Sequence, residues 1–141
     1  MKARIKWIED VMFLGESGSG HAVVMDGAPD AGGRNMGFRP MEMMLLGLGG
    51  CSAFDVVMIL KRSRENVTDC VVEIDAERAQ TDPKVFTKIL MRYIVTGKAL
   101  DPKKVERAVN LSAEKYCSAT AIMAKTAQIE HEVRIVETSA S

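Results

Sequence analysis

The sequence predicts an α+β fold, with strands and helices segregated along the chain rather than alternating. Three observations carry this. Stretches that alternate apolar and charged side chains every second residue occur near the start, in the middle and at the end. One long apolar stretch, Pro40 to Arg62, is free of any proline after its first residue. In the last third, Asp101-Pro102 precedes a stripe of apolar residues at helical spacing. The order these imply is β-β-(β)-α-β-β-α-α-β, in a single domain over residues 1–141: N-terminal strands in 1–39, a central helix at 40–62, and a strand-strand-helix-helix-strand block in 67–137.

Lys2 to Ile8 places Ala3, Ile5 and Trp7 on one side and Lys2, Arg4 and Lys6 on the other, the pattern of a half-buried strand. Gly15-Glu-Ser-Gly-Ser-Gly20 reads as a flexible turn, and His21 to Asp26 as the returning strand of a hairpin or small meander. Gly27 to Arg39, with its glycines and Pro29, reads as a loop. Loops of this length are often functional or ordered by a partner chain.

Pro40 suits the first turn of a helix, where its missing N–H has no partner to lose. Glu42 follows in that turn and complements the helix dipole. A helix from Pro40 to Arg62 is roughly 34 Å long. Because it is apolar nearly all round, it predicts a buried central helix. Gly47, Gly49 and Gly50 are costly in a helix and predict close packing just before Cys51.

Cys70 to Ala79 alternates, with Cys70, Val72, Ile74 and Ala76 on one face, and Phe86 to Thr96 forms its hairpin partner across Thr81-Asp82-Pro83. Asp101 is the expected N-cap of the next helix, whose stripe is Val105, Ala108, Val109 and Ser112. Ser118 to Ala127 predicts a second helical piece. Ala127 to Val136 predicts a closing strand with Ile129, His131, Val133 and Ile135 on one face, His131 being read as a core histidine. The tail from Thr138 to Ser141 is expected to fray.

Composition narrows the function. Apolar residues at 47% and charged residues at 27% describe a folded chain rather than a disordered one. Nineteen basic against nineteen acidic residues, with no basic block, argue against nucleic acid as a partner. Met1 to Asp10 lacks the pattern of a signal peptide, and the apolar run Met43 to Cys51 is too short for a bilayer. The expected setting is therefore cytoplasmic, without membrane association. Two histidines and no Cys-x-x-Cys argue against zinc, and no cofactor is expected.

Cys51 and Cys117 are the residues with the greatest chemical interest. Cys51 follows Gly-Leu-Gly-Gly in the apolar helix; Cys117 lies where one helical pattern ends and another begins. Helix ends and neighbouring cations stabilise a thiolate, and a second thiol can capture the oxidised first one. From spacing alone both also read as small core residues, as does Cys70.

The segment Pro40-Met-Glu-Met-Met-Leu-Leu-Gly-Leu-Gly-Gly-Cys51-Ser-Ala resembles the reactive-cysteine helix of the OsmC/Ohr family, and most closely its YhfA-like branch. Ser112 to Ala121 resembles the family's second-cysteine segment. The resemblance covers nearly the whole chain. It implies an OsmC-like fold, with antiparallel sheets packed around a long buried central helix in an intertwined homodimer. It also implies a thiol peroxidase reducing organic hydroperoxides: Cys51 is oxidised to a sulfenic acid, Cys117 resolves it as a disulfide, and an unidentified dithiol reductant restores both. Met44, Leu48 and Phe54 would bind an alkyl tail.

The chain departs from the family pattern in three places. Met41 stands where the family has a glutamate, and Glu42 is displaced by about 100° around the helix. The Gly15–Gly20 turn lacks the family's arginine, leaving Arg34 and Arg39 as substitutes. Asp55 lies one turn beyond Cys51, where it raises the thiol's pKa if unpaired and orients a cation if paired. These departures support a second reading, a non-enzymatic ligand-binding or redox-sensing stress protein that keeps the fold.

Overall fold

The computed structural model of the chain describes residues 1–138. Most of the tail expected to fray therefore lies outside the described residues. Thr138 itself is held: its N–H donates to Gly97 O at 2.8 Å and its hydroxyl meets Thr68 Oγ1 at 2.9 Å. The chain divides into two compact units, Met1–Leu46 and the remainder from Gly47.

The first unit is a three-stranded antiparallel meander of β1 (Ala3–Glu9), β2 (Met12–Ser17) and β3 (Ala22–Met25). Gly15 is not part of the turn, as the glycine pattern suggested; it sits within β2, opposite Ile5 and Val23. Added bulk there meets Met25 Cε at 3.2 Å, so glycine serves close packing in the sheet rather than chain reversal. All seven residues of β1 are exposed, including Ile5 and Trp7. The alternating pattern is thus real, but this chain does not cover its apolar side.

The loop after β3 contains a single 3₁₀ turn at Pro29–Ala31 and is organised by Asp26. This buried carboxylate accepts the N–H groups of Gly27 (2.7 Å), Arg34 (3.1 Å) and Met36 (3.1 Å). Burial alone would raise its pKa. The N–H groups of Met36, Gly27 and Arg34, with the Arg34 charge, outweigh that and hold it below the ordinary carboxylate value.

Helix α1 (Pro40–Arg62) has the limits its sequence predicts, and the boundary between the two units falls within it. Its burial differs from expectation. Leu48, Ser52, Val56 and Leu60, spaced by four, form one buried stripe with Gly49, while Leu46 and Phe54 remain more than half exposed. A helix apolar all round has more apolar surface than the core on one side can cover. By length and composition α1 could also cross a bilayer, with mean hydropathy 2.0, a property it shares with the core helices of soluble proteins. Of the three glycines, only Gly49 is closely packed, 3.1 Å from Ile74 Cδ1 at its Cβ position; Gly47 and Gly50 face open space.

The second unit contains β4 (Asn66–Arg78), β5 (Phe86–Lys98), α2 (Pro102–Leu111), a π-helical turn at Ser112–Tyr116, α3 (Ser118–Met123) and β6 (Gln128–Glu137). β4 and β5 pair antiparallel, and Cys70, Val72, Ile74 and Ala76 share the less exposed face. β6 joins β5 in parallel, so this sheet is mixed rather than wholly antiparallel. The helical connection through α2 and α3 supplies the crossover that a parallel pair requires. His131 is exposed rather than in the core, and its ring stands edge-on to Tyr93 at 6.5 Å. α3 is shorter than predicted, ending at Met123.

The core of this unit combines Ile89, Met91, Tyr93 and Val95 of β5, the α1 stripe, and Val105, Ala108 and Val109 of α2. Asp101 caps α2 as expected, accepting Lys103 N–H at 3.0 Å. These elements give an α+β arrangement with a central helix.

Candidate functional site

Both predicted redox cysteines lie in the second unit, and both are free thiols. Cys51, on α1 beside the fully buried Ser52, is partly exposed. Cys117 is 3% exposed and sits between the π-helical turn and α3. Its N–H donates to Ser112 O at 2.9 Å, which closes the wide turn. Its own backbone is extended, so its side chain turns back over the next helix as an N-cap, and Sγ accepts Thr120 N–H at 3.4 Å.

Cys51 is one of the groups that influence the titration of Cys117. Burial is the main cause pushing the Cys117 thiol above its ordinary value. Contacts with Thr120 act in the opposite direction, and Cys51 adds a smaller rise. Cys70, on β4, is raised first by burial and then by the charge of Asp69.

A set of residues that the sequence did not single out joins the segments carrying these sulfurs. Ser52 Oγ lies 2.6 Å from Tyr93 Oη and 2.9 Å from Ser112 Oγ, and Ser112 Oγ donates to Asp55 Oδ2 at 3.0 Å. Ser52, Tyr93 and Ser112 are essentially inaccessible to solvent. The available signal was a serine at an apolar position in each helical stripe: Ser52 four before Val56, and Ser112 after Val109. Burial raises the Tyr93 phenol, the Ser52 hydrogen bond partly offsets this, and the charges of Cys117, Cys70 and Asp55 raise it further.

Asp55 therefore engages a hydroxyl, not an arginine. It also borders a cleft of about 370 Å³ lined by Phe54, Met58, Ile59, Leu111 and Tyr116, with Arg62 and Arg107 on its walls. Of the side chains expected to hold an alkyl tail, Leu48 is fully buried in the core, whereas Met44 and Phe54 are exposed. Among the described residues no group of three or more His, Cys, Asp or Glu is placed to hold a metal ion.

The other expected supporting residues belong to the first unit. Glu42 Oε1 accepts Arg39 N–H at 2.8 Å, closing the start of α1. Arg39 Nη1 donates to Asn35 Oδ1 at 2.8 Å and Gly37 O at 3.4 Å, both neutral acceptors. Arg34 is paired with Glu9 and, at 3.9 Å, with Asp10. Its hydrogen bond to Glu9 is the main cause raising its pKa.

Comparison with known proteins gives a consistent result. Residues 32–132 match the family model described as OsmC-like protein. Protein YhfA of Escherichia coli K12 is 48% identical over 139 residues, covering 96% of this chain and 98% of that protein. The crystal structure of a hypothetical protein from Aquifex aeolicus VF5 is 27% identical and superposes with a TM-score of 0.86, covering 98% of this chain and 97% of the other. The organic hydroperoxide resistance protein OhrB of Bacillus subtilis shares the fold, with a TM-score of 0.62 at 18% identity, over 95% of this chain and 98% of the other.

Proposed function

Because the chain belongs to the OsmC-like protein family, we propose that it is a cytoplasmic thiol peroxidase that reduces organic hydroperoxides through Cys51 and Cys117. The observation that carries this reading is a pair of free thiols on separate elements, one partly exposed and one buried, whose segments are joined by the 2.9 Å Ser52–Ser112 hydrogen bond. That is the arrangement a peroxidatic and a resolving cysteine require.

In the first step the Cys51 thiolate attacks the terminal oxygen of the hydroperoxide. The O–O bond breaks, the alkoxide leaves and takes a proton as the alcohol, and Cys51 becomes a sulfenic acid. The Cys117 thiolate then attacks the Cys51 sulfur, the S–S bond forms, and the hydroxyl departs as water after protonation. A dithiol reductant returns both cysteines to thiols and is itself oxidised to a disulfide. No metal or bound cofactor enters these steps.

The exposed cysteine is the better first nucleophile, because peroxide must reach it. The cleft beside Asp55, with Phe54, Met58 and Ile59, supplies apolar surface for an organic substrate. Of the two loop arginines, Arg39 is the candidate for supporting a thiolate, because its guanidinium has only neutral partners, whereas the charge of Arg34 is matched by Glu9 and Asp10. Asp55 and Glu42 act as supporting residues through Ser112 and the start of α1.

The active form in this reading is an intertwined homodimer. Ile5, Trp7, Phe54 and Ile122, all more than half exposed, supply the apolar surface for a second copy. The direct test is cumene hydroperoxide consumption with dithiothreitol as reductant. Cys51→Ser is expected to fall to the uncatalysed rate, and retained turnover would contradict the mechanism.

A further inference from the structure

We propose that the buried Ser52–Ser112 hydrogen bond is a positioning clasp that sets the approach of Cys51 to Cys117, with Tyr93 and Asp55 fixing its orientation. The clasp rests on the pairing of these cysteines in the proposed function, but not on any reaction with peroxide.

The connectivity is short on both sides. Ser52 directly follows Cys51 on α1. Ser112 opens the π-helical turn that ends at Cys117, and its carbonyl accepts the Cys117 N–H at 2.9 Å. The 2.9 Å contact between the two hydroxyls thus ties the helix bearing one thiol to the turn that leads directly into the other. Both serines have zero solvent exposure, so no water competes for the bond.

The direction of the chain follows from donor counting. An ionised carboxylate only accepts, so Ser112 donates its single hydroxyl proton to Asp55. Ser52 must then donate to Ser112, and Tyr93 must donate to Ser52 at 2.6 Å. This assignment runs from β5 through α1 to the π-helical turn; the other acceptors, Met91 Sδ for Tyr93 at 3.8 Å and Ser52 O for Ser112 at 3.5 Å, are longer and weaker.

The test measures thiol pairing in the full chain without peroxide. Reduced wild type, Ser52→Ala, Ser112→Ala, Asp55→Asn and Leu60→Ala are equilibrated in buffers of reduced and oxidised glutathione. Thiols are then blocked and the Cys51–Cys117 disulfide is quantified by peptide mapping. In this exchange the two protein thiols are oxidised to one disulfide, while one oxidised glutathione accepts their two electrons and two protons and yields two reduced glutathiones. The equilibrium ratio gives the effective concentration of one thiol at the other.

Ser52→Ala and Ser112→Ala are expected to lower that effective concentration by about fivefold to tenfold, the range for one lost buried hydrogen bond. Asp55→Asn, which frees the chain to reverse direction, is expected to lower it less. Leu60→Ala removes a fully buried side chain from the same helix and controls for general loosening; it is expected to stay within about twofold of wild type. Wild-type values in both serine variants, or an equal fall in Leu60→Ala, would overturn the clasp. If one serine variant fails to fold, the other and Asp55→Asn decide the matter. A wild type that pairs its thiols strongly yet turns over no peroxide would overturn the proposed function and leave the clasp standing.

Discussion

The Thr120 N–H donates to Cys117 Sγ at 3.4 Å, so the buried thiol of the pair is also the N-cap of α3. This dual role separates two substitutions that redox chemistry alone treats alike. Serine is a preferred N-cap and alanine cannot cap. Cys117→Ser is therefore expected to remain close to wild type in urea denaturation, and Cys117→Ala to lose about 1 kcal/mol. Equal stability of the two variants would mean that the cap contributes nothing.

The raised pKa of Cys117 makes resolution dependent on pH. Burial favours the neutral thiol, but attack on a sulfenic acid needs the thiolate. The disulfide-forming step is expected to accelerate by roughly tenfold per pH unit while the thiol remains mostly protonated. Rapid quenching after one equivalent of peroxide measures this step; with peroxide in excess, slow resolution at low pH is expected to leave more Cys51 open to over-oxidation. A rate independent of pH across this range would contradict the assignment of Cys117 as the resolving thiol.

The apolar side chains left exposed by one chain predict self-association. Light scattering is expected to give the mass of a dimer for the wild type. Phe54, 67% exposed and on the far side of α1 from its buried stripe, is a suitable probe. Phe54→Asp is expected to weaken the dimer by about 2 kcal/mol, or roughly thirtyfold in dissociation constant. An unchanged dimer would place the interface elsewhere.

Asp26 predicts a specific acid sensitivity. Its folded pKa lies below the unfolded value of about 3.9, so its contribution is fully present above that pH. The contribution is lost as pH falls through the lower folded value, because the unfolded chain takes up the proton first. Asp26→Asn is expected to flatten the acid side of the stability curve below about pH 4 and to leave the slope near neutrality unchanged. Parallel acid limbs in the two proteins would show that its three N–H contacts do not favour the charged form.

Much of the fold was legible in the chain because local signals agreed with each other. Pro40, Glu42 and an unbroken apolar run fixed both ends of α1, and Asp101-Pro102 fixed the start of α2. The alternation of Cys70, Val72, Ile74 and Ala76 identified the inner face of β4. Gly15 misled because glycine signals both turns and close packing, and only the pairing with β1 and β3 decides between them. Alternation at His131 suggested burial, but a strand pattern alone does not say how much of each face neighbouring elements cover. The extent to which α1 is buried was illegible for a related reason: apolarity reports the surface a helix could bury, not the surface one chain covers.

At the site, the sequence singled out both cysteines but not the hydroxyl cluster that joins their segments. Ser52, Tyr93 and Ser112 are distant in the chain and meet only through the packing of α1, β5 and the π-helical turn. Asp55, one turn beyond Cys51, accepts from Ser112 rather than pairing with an arginine, a choice that depends on how α1 packs against the π-helical turn. Glu42 took the simpler of its expected roles, accepting an N–H at the helix start.

Titration of fully reduced protein with cumene hydroperoxide, followed by thiol blocking, intact mass and peptide mapping, decides whether Cys51 and Cys117 form a redox couple. One Cys51–Cys117 disulfide is expected to form rapidly per equivalent of peroxide, with Cys70 still a thiol and with Cys117→Ser accumulating oxidised Cys51. Three unreacted thiols at stoichiometric peroxide would contradict the redox couple and leave the cysteine pair without peroxidase chemistry.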